Sequence, residues 1–209
     1  MENISDLELD ALREIMNTGA AHASVVMSEM AKKKIEITFP VVKLCCIEDI
    51  PSIIGKPHEI VVCIYLPLNG ENDEKFQMGS LLHILSQEGA IKLASILQSI
   101  EKRETFELSE MDISALKEVT NIMSGSCLKA ISEYVKFKLI EGVPHFACDM
   151  QQSTVDHVLV DLASKTDKSL VFKTLFNVED INLETHLIIV LYPDAMKLFL
   201  DRLKSSGII

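Results

Sequence analysis

The stretch DALREIMN at residues 10–17 returns as SALKEVTN at residues 114–121, displaced by 104 positions. Extended without a gap, residues 5–40 and 109–144 share ten identities: Ser5/Ser109, Ala11/Ala115, Leu12/Leu116, Glu14/Glu118, Asn17/Asn121, Ser28/Ser132, Glu29/Glu133, Lys32/Lys136, Lys34/Lys138 and Pro40/Pro144. That is several times what composition alone supplies, and it marks an internal repeat. Further along, AIKL at 90–93 corresponds to AMKL at 195–198 at an offset of 105, so one residue of length separates the two halves. A period this long exceeds that of a solenoid. It predicts one domain over 1–209, built from two copies (about 5–100 and 109–209) of a single α/β (α+β) unit. The copies are expected to be related by a pseudo-two-fold axis and to share an antiparallel sheet.

Each copy opens with the same helix signal. SDLE at 5–8 and SEMD at 109–112 place a Ser where the first orphan N–H groups need an acceptor and an acid three residues on to reach back. In the first copy Leu12, Ile15, Met16, Gly19, Ala23, Val26, Met27 and Met30 recur at helical spacing and predict the core-facing stripe. Leu116, Val119, Thr120, Met123, Cys127, Ala130 and Ile131 repeat it. After each helix the period falls to two. KIEITFPVVKLCCI, EIVVCIYLPL and FQMGSLLHIL read as strands, followed by a helix from near Ser86 to about 101. In the second copy FKLIEGVPHFACDM, VDHVLVDLAS, SLVFKTLFNV and THLIIVLY read as strands, and PDAMKLFLDRL as the closing helix with Pro193 in its first turn. NGENDEK and KTDKS are turn-forming, and residues 98–110 join the halves.

Composition narrows the function. With 209 residues and 48% of them apolar, the chain is long enough to bury a full core. A net charge of −11 opposes electrostatic nucleic-acid binding. The start MENISDLELD lacks a basic, then apolar, leader, and no run approaches the roughly 20 apolar residues of a bilayer span. The chain therefore reads as cytoplasmic, without membrane insertion. Five cysteines without CxxC spacing indicate buried free thiols, not a disulfide framework or a zinc site. The sequence holds no phosphate-binding loop, dinucleotide fingerprint, HExxH or GxSxG, and its six histidines lack ligand spacing. No metal site is expected.

What remains is the repeated Glu and Asn. Residues three apart on a helix project side by side, so Glu14 with Asn17, and Glu118 with Asn121, present an acid and an amide together on the face opposite the core stripe. One such pair would be ordinary surface chemistry. Two pairs at a constant offset, among surface positions that have otherwise drifted, call for a reason beyond folding. Asn also competes for backbone groups in a helix interior, so helix propensity does not supply that reason.

The pattern [DS]-x3-E-x2-N-x22-P is complete at Asp10, Glu14, Asn17 and Pro40 and again at Ser114, Glu118, Asn121 and Pro144. This resembles the CheC/CheX/FliY family of chemotaxis phosphatases, and among them the two-motif CheC type, since CheX-like members carry one motif and FliY-like members add a flagellar switch domain. The resemblance spans essentially the whole chain. It implies a phosphatase acting on the aspartyl phosphate of the response regulator CheY. Asn17 and Asn121 would position the attacking water, as a Gln does in small GTPases. Glu14 and Glu118 would anchor the receiver through its active-site Lys. Asp10 and Ser114 would lie at the partner surface, and Ala21 and Gly125, small and one turn beyond each Asn, would admit the partner backbone. Mg2+ would belong to the receiver. The prolines would fix the exit of the first strand. The alternative is a non-catalytic module that binds a receiver or the receptor deamidase CheD, for which the closing helices at 87–101 and 193–204 would matter more. Internal duplication makes a monomer the expected state.

Overall fold

The computed structural model describes residues 4–205 apart from 55, 57, 71–72, 101–104, 106, 137, 152, 154–158, 161–162, 165 and 180, and of residues 73–76 and 135 the backbone alone. Helix α1 (Asp6–Ala31) leads into strand β1 (Ile35–Cys46), a 3-10 turn at Ile47–Asp49 and the short α2 (Ile50–Ile54). Strands β2 (Ile60–Gly70) and β3 (Asp73–Ser86) and helix α3 (Gln87–Leu97) complete the first half. The second half holds α4 (Glu110–Val135), β4 (Leu139–Glu141), β5 (His145–Met150), β6 (Lys168–Val178), β7 (Ile181–Leu191) and α5 (Pro193–Ser205).

Both long helices start and stop alike. Ser5 accepts from the Glu8 N–H while Glu8 accepts from the Ser5 N–H at 2.6 Å, and Ser109 and Asp112 repeat the exchange. The Ser5 backbone and hydroxyl donors hold the Glu8 carboxyl below its usual range. Each such cap contributes about 0.5–2 kcal/mol. Lys32 and Lys136 end the helices with φ of 52° in the left-handed region.

The seven strands form one antiparallel sheet in the order β1-β6-β7-β3-β2-β4, with β5 also on β2. The halves exchange strands. β1 of the first half pairs with β6 of the second, β5 of the second pairs with β2 of the first, and β3 and β7 meet at the centre, Leu82 opposite Ile188. β4 and β5 together are the counterpart of β1. A register shift between Thr38 and Val41 inserts Pro40 as an extra residue, so Ile35, Ile37 and Phe39, then Val42 and Leu44, all pack into the same cluster. Pro40 thus bends β1 in its middle and does not mark the strand's exit, and Pro144 falls between β4 and β5.

One face of the sheet packs against α1, α4, α3 and α5; the smaller cluster on the other face, with Ile47, Ile50 and Leu159, is covered in part by α2. β3 and β7 are buried on both faces, which explains their unbroken apolar runs. On the helix face α1 and α4 cross at Gly19, where an added Cβ would lie 2.6 Å from Cys127 Cα. His83 of β3, 1% exposed, joins sheet to helix: its Nδ1 meets Thr120 Oγ1 at 2.9 Å and its Nε2 meets Thr185 Oγ1 at 3.1 Å. Thr120 donates to the Leu116 carbonyl, so Nδ1 carries the proton toward Thr120.

Two expectations are corrected. Val26 and Met30 are 42% and 46% exposed, outside the core stripe, because Ala23, Met27 and Ala31 carry the buried face there. VDHVLVDLAS lies partly outside the described residues, but at 159–160 and 163 the chain is helical, and Leu159 is buried in the smaller cluster on the sheet.

Candidate functional site

The site begins with the edge of the sheet. Among the described residues β1 has no strand neighbour beyond β6, so alternate N–H groups, at Ile35, Ile37 and Phe39, turn toward α1. The helix answers with a row of polar side chains: Ser28 Oγ accepts from Ile35 N at 2.9 Å, Ser24 Oγ from Ile37 N at 2.8 Å and Asn17 Oδ1 from Phe39 N at 2.8 Å. Asn17 Nδ2 also donates to the Phe39 carbonyl at 3.4 Å, which fixes the orientation of the amide. The face of α1 opposite the core stripe is therefore not wholly solvated: Asn17, Ser24 and Ser28 are half-buried against β1, while Glu14 and Ala21 are exposed. A groove of about 780 Å3 runs along this seam, lined among others by Arg13, Glu14, Asn17, Ala21, Lys34 and Pro40. Arg13 lies 3.0 Å from the exposed Asp10 and 3.7 Å from Glu14, whose side chain is 74% exposed. Ion pairs this exposed are weak and exchangeable.

The second copy is built differently. Leu128 stands where Ser24 does, Glu141 where Ile37 does and Val143 where Phe39 does. Leu128 is buried, Asn121 is half-buried, and Asn121 Oδ1 is buried with no hydrogen-bond partner among the described residues. Glu118 is exposed and, among the described residues, has no ion-pair partner; Ser114 is exposed. Gly125 is half-buried, and a Cβ there would come 3.0 Å from Glu141 Oε1. The space beside Gly125 is taken by the chain's own carboxylate. Ser124 Oγ donates to Glu141 Oε2 at 2.5 Å, and burial raises the Glu141 carboxyl above its ordinary range despite that bond. The groove here, about 240 Å3, is lined by Gly125, Leu128, Ser132, Lys138, Glu141 and their neighbours.

Sequence reasoning did not single out Glu141, Ser124 or the edge-capping serines. The Ser28/Ser132 identity carried a signal for the serines, and a Glu interrupting an otherwise apolar strand at 139–141 carried one for Glu141. Among the described residues no group of three or more His, Cys, Asp or Glu is placed to hold a metal, and no helix is long and apolar enough to cross a membrane.

Fold and site together define an internally duplicated α+β protein with a Glu–Asn pair on each of two crossing helices. The model of the CheC-like family matches residues 7–44 and 111–146, the two motif helices with the strand that follows each. It is 28% identical over 173 residues to the CheY-P phosphatase CheC of Bacillus subtilis (strain 168), covering 82% of this chain and 80% of that one. Its fold matches that of Thermotoga maritima FliY with a TM-score of 0.75 at 17% identity, over 99% of this chain and 100% of that one. A CheX from Borrelia burgdorferi, crystallised as a CheX-CheY-BeF3-Mg2+ complex, matches with a TM-score of 0.50 at 19% identity, over 86% and 96% of the two chains.

Proposed function

We propose that this chain is a phosphatase that hydrolyses the aspartyl phosphate of a phosphorylated CheY-like receiver. The observation that carries the reading is the Asn17 carboxamide, clamped at both ends by the Phe39 peptide in an open groove beside Glu14. An amide so held is oriented before any substrate arrives, and its second Nδ2–H and the remaining Oδ1 lone pair stay available for water. An aspartyl phosphate is an activated acyl phosphate. Its hydrolysis needs a water in line with the departing carboxylate and charge stabilisation at phosphorus, not a new covalent nucleophile. Asn17 and Asn121 would orient that water, and Mg2+ would be brought by the receiver. Exposed Glu14 and Glu118 would engage a lysine of the partner, Glu14 by exchanging its long contact with Arg13. Asp10, Ser114 and Ala21 lie where the partner would rest on the helices. The likeness to CheC, named as a CheY-P phosphatase, supports the choice of substrate.

The test is the decay of phosphorylated CheY with the wild-type chain, Asn17→Ala, Asn121→Ala and the double variant. Acceleration by the wild type that falls on the order of 10²-fold in the double variant is expected. Unaltered decay alongside retained binding to a receiver or to CheD would make the chain an interaction module instead.

A further inference from the structure

The two motifs are identical at Glu and Asn, yet their surroundings are not, and the difference centres on one side chain. At position 37 the first copy has an Ile directed into the core, 3% exposed. At the corresponding position the second copy has Glu141, whose carboxylate is held by Ser124 Oγ and lies against Gly125. Ser124 in turn also lies 3.2 Å from the Asn121 carbonyl, so the carboxylate is tied to the motif's own turn of helix. Asn121 differs from Asn17 as well. Its Oδ1 is buried without a partner among the described residues, whereas Asn17 Oδ1 holds a peptide N–H beside an open groove. A half-buried carboxylate with one hydroxyl donor and no ion pair among the described residues is incompletely compensated, and a cation brought to it would be strongly favoured.

We propose that Glu141 is a specificity-determining residue of the second site: it occupies the approach at Gly125 and yields that space to a partner that presents a cationic side chain to draw the carboxylate outward. The first site, with Ile37, imposes no such requirement. The proposal rests on the phosphatase reading, since it concerns which partner the second motif accepts. Lys129 and Lys138, which line the same groove, bound the region where the displaced carboxylate would meet the partner.

The experiment uses the full chain carrying Asn17→Ala, so that only the second site contributes, and follows the decay of phosphorylated CheY at low and high salt. Adding Glu141→Ala is expected to raise the second-site rate about ten- to a hundredfold, the worth of one charged hydrogen bond that no longer has to be broken, and to remove its salt dependence. Adding Glu141→Gln, which keeps the side chain's shape without its charge, is expected to slow the second site below the Asn17→Ala parent. A Glu141→Ala rate at or below the parent's, in a protein that melts at the parent's temperature, overturns the proposal. Should Glu141→Ala fail to fold, a Glu141→Gln rate equal to or above the parent's overturns it equally. A wild-type chain that does not hasten the decay would sink the phosphatase reading and this proposal with it, whereas an active wild type with indifferent Glu141 variants sinks this proposal alone.

Discussion

Replacing Asn17 with Ala has two consequences that the structure allows to be weighed separately. The Phe39 N–H loses its acceptor at 2.8 Å, and Phe39 is fully buried, so the lost bond costs about 1–3 kcal/mol. Against this, Ala in place of a mid-helix Asn returns about 0.6 kcal/mol of helix propensity. The net loss is about 0.5–2.5 kcal/mol, and at about 2–4 °C per kcal/mol for a domain of this size the melting temperature should fall by about 1–10 °C. Asn121→Ala should behave otherwise. Its Oδ1 has no partner to lose among the described residues, so removal deletes an uncompensated buried polar atom and gains the same propensity. Stability should stay level or rise by up to about 1 kcal/mol. Thermal and urea unfolding of both single variants, followed by circular dichroism, checks the contrast. Equal destabilisation by the two substitutions would refute the reasoning, because it would mean that both amides carry the same structural bond. Asn17→Asp keeps the acceptor for the Phe39 N–H but sets a carboxylate oxygen against the Phe39 carbonyl where Nδ2 had donated, so some loss of stability is expected together with loss of any first-site turnover.

Two further predictions concern the frame that holds the motif helices. Gly19→Ala places a Cβ 2.6 Å from Cys127 Cα and 2.8 Å from the Ser126 carbonyl, both backbone atoms that cannot swing aside. It should cost about 1–3 kcal/mol or more, measured as a lowered denaturation midpoint. His83, buried between Thr120 and Thr185, has its pKa lowered to about 3 by burial and by His186 nearby. Because the unfolded chain takes up that proton first, the contribution of the neutral ring is complete above about pH 6.5 and is lost as pH falls toward 3, with a slope of up to about 1.4 kcal/mol per pH unit. His83→Leu should flatten that part of the stability profile, read from denaturation midpoints between pH 4 and 7; an unchanged slope would show that His83 does not titrate there.

Much of the architecture is visible in the chain because it is written in short-range patterns. The Ser caps, the helical stripe from Leu12 to Met27 and the alternation in β2 and β6 each follow from residues within a turn or two of one another. The misreadings have the same origin. VDHVLVDLAS looks like a strand because β-branched and apolar residues favour one, and only tertiary packing places Leu159, in a helical segment, against the smaller cluster of the sheet. Val26 and Met30 fit the core period, but Ala23, Met27 and Ala31 carry the buried face there and leave them on its flank. Glu14, Asn17, Glu118 and Asn121 were identifiable because duplication held them fixed while neighbouring surface positions drifted. Their unequal environments were not identifiable, since Asn17 meets a strand twenty-two residues away and Gly125 meets Glu141 across a turn whose path no local pattern specifies.

By itself, then, the sequence determined the duplication, the ends of both motif helices and the identity of the repeated Glu–Asn pair, all of them consequences of local periodicity and of correspondence at a constant offset. The tertiary structure alone decided that the halves exchange strands, which makes β1 an edge that Asn17, Ser24 and Ser28 must cap. It also decided that the second amide goes without such a partner while Glu141 fills the space beside it. The physical reason is that a backbone N–H or a carboxylate is satisfied by whatever the global topology brings within about 3 Å, and pairing between segments more than a hundred residues apart leaves no trace in the pattern of either one.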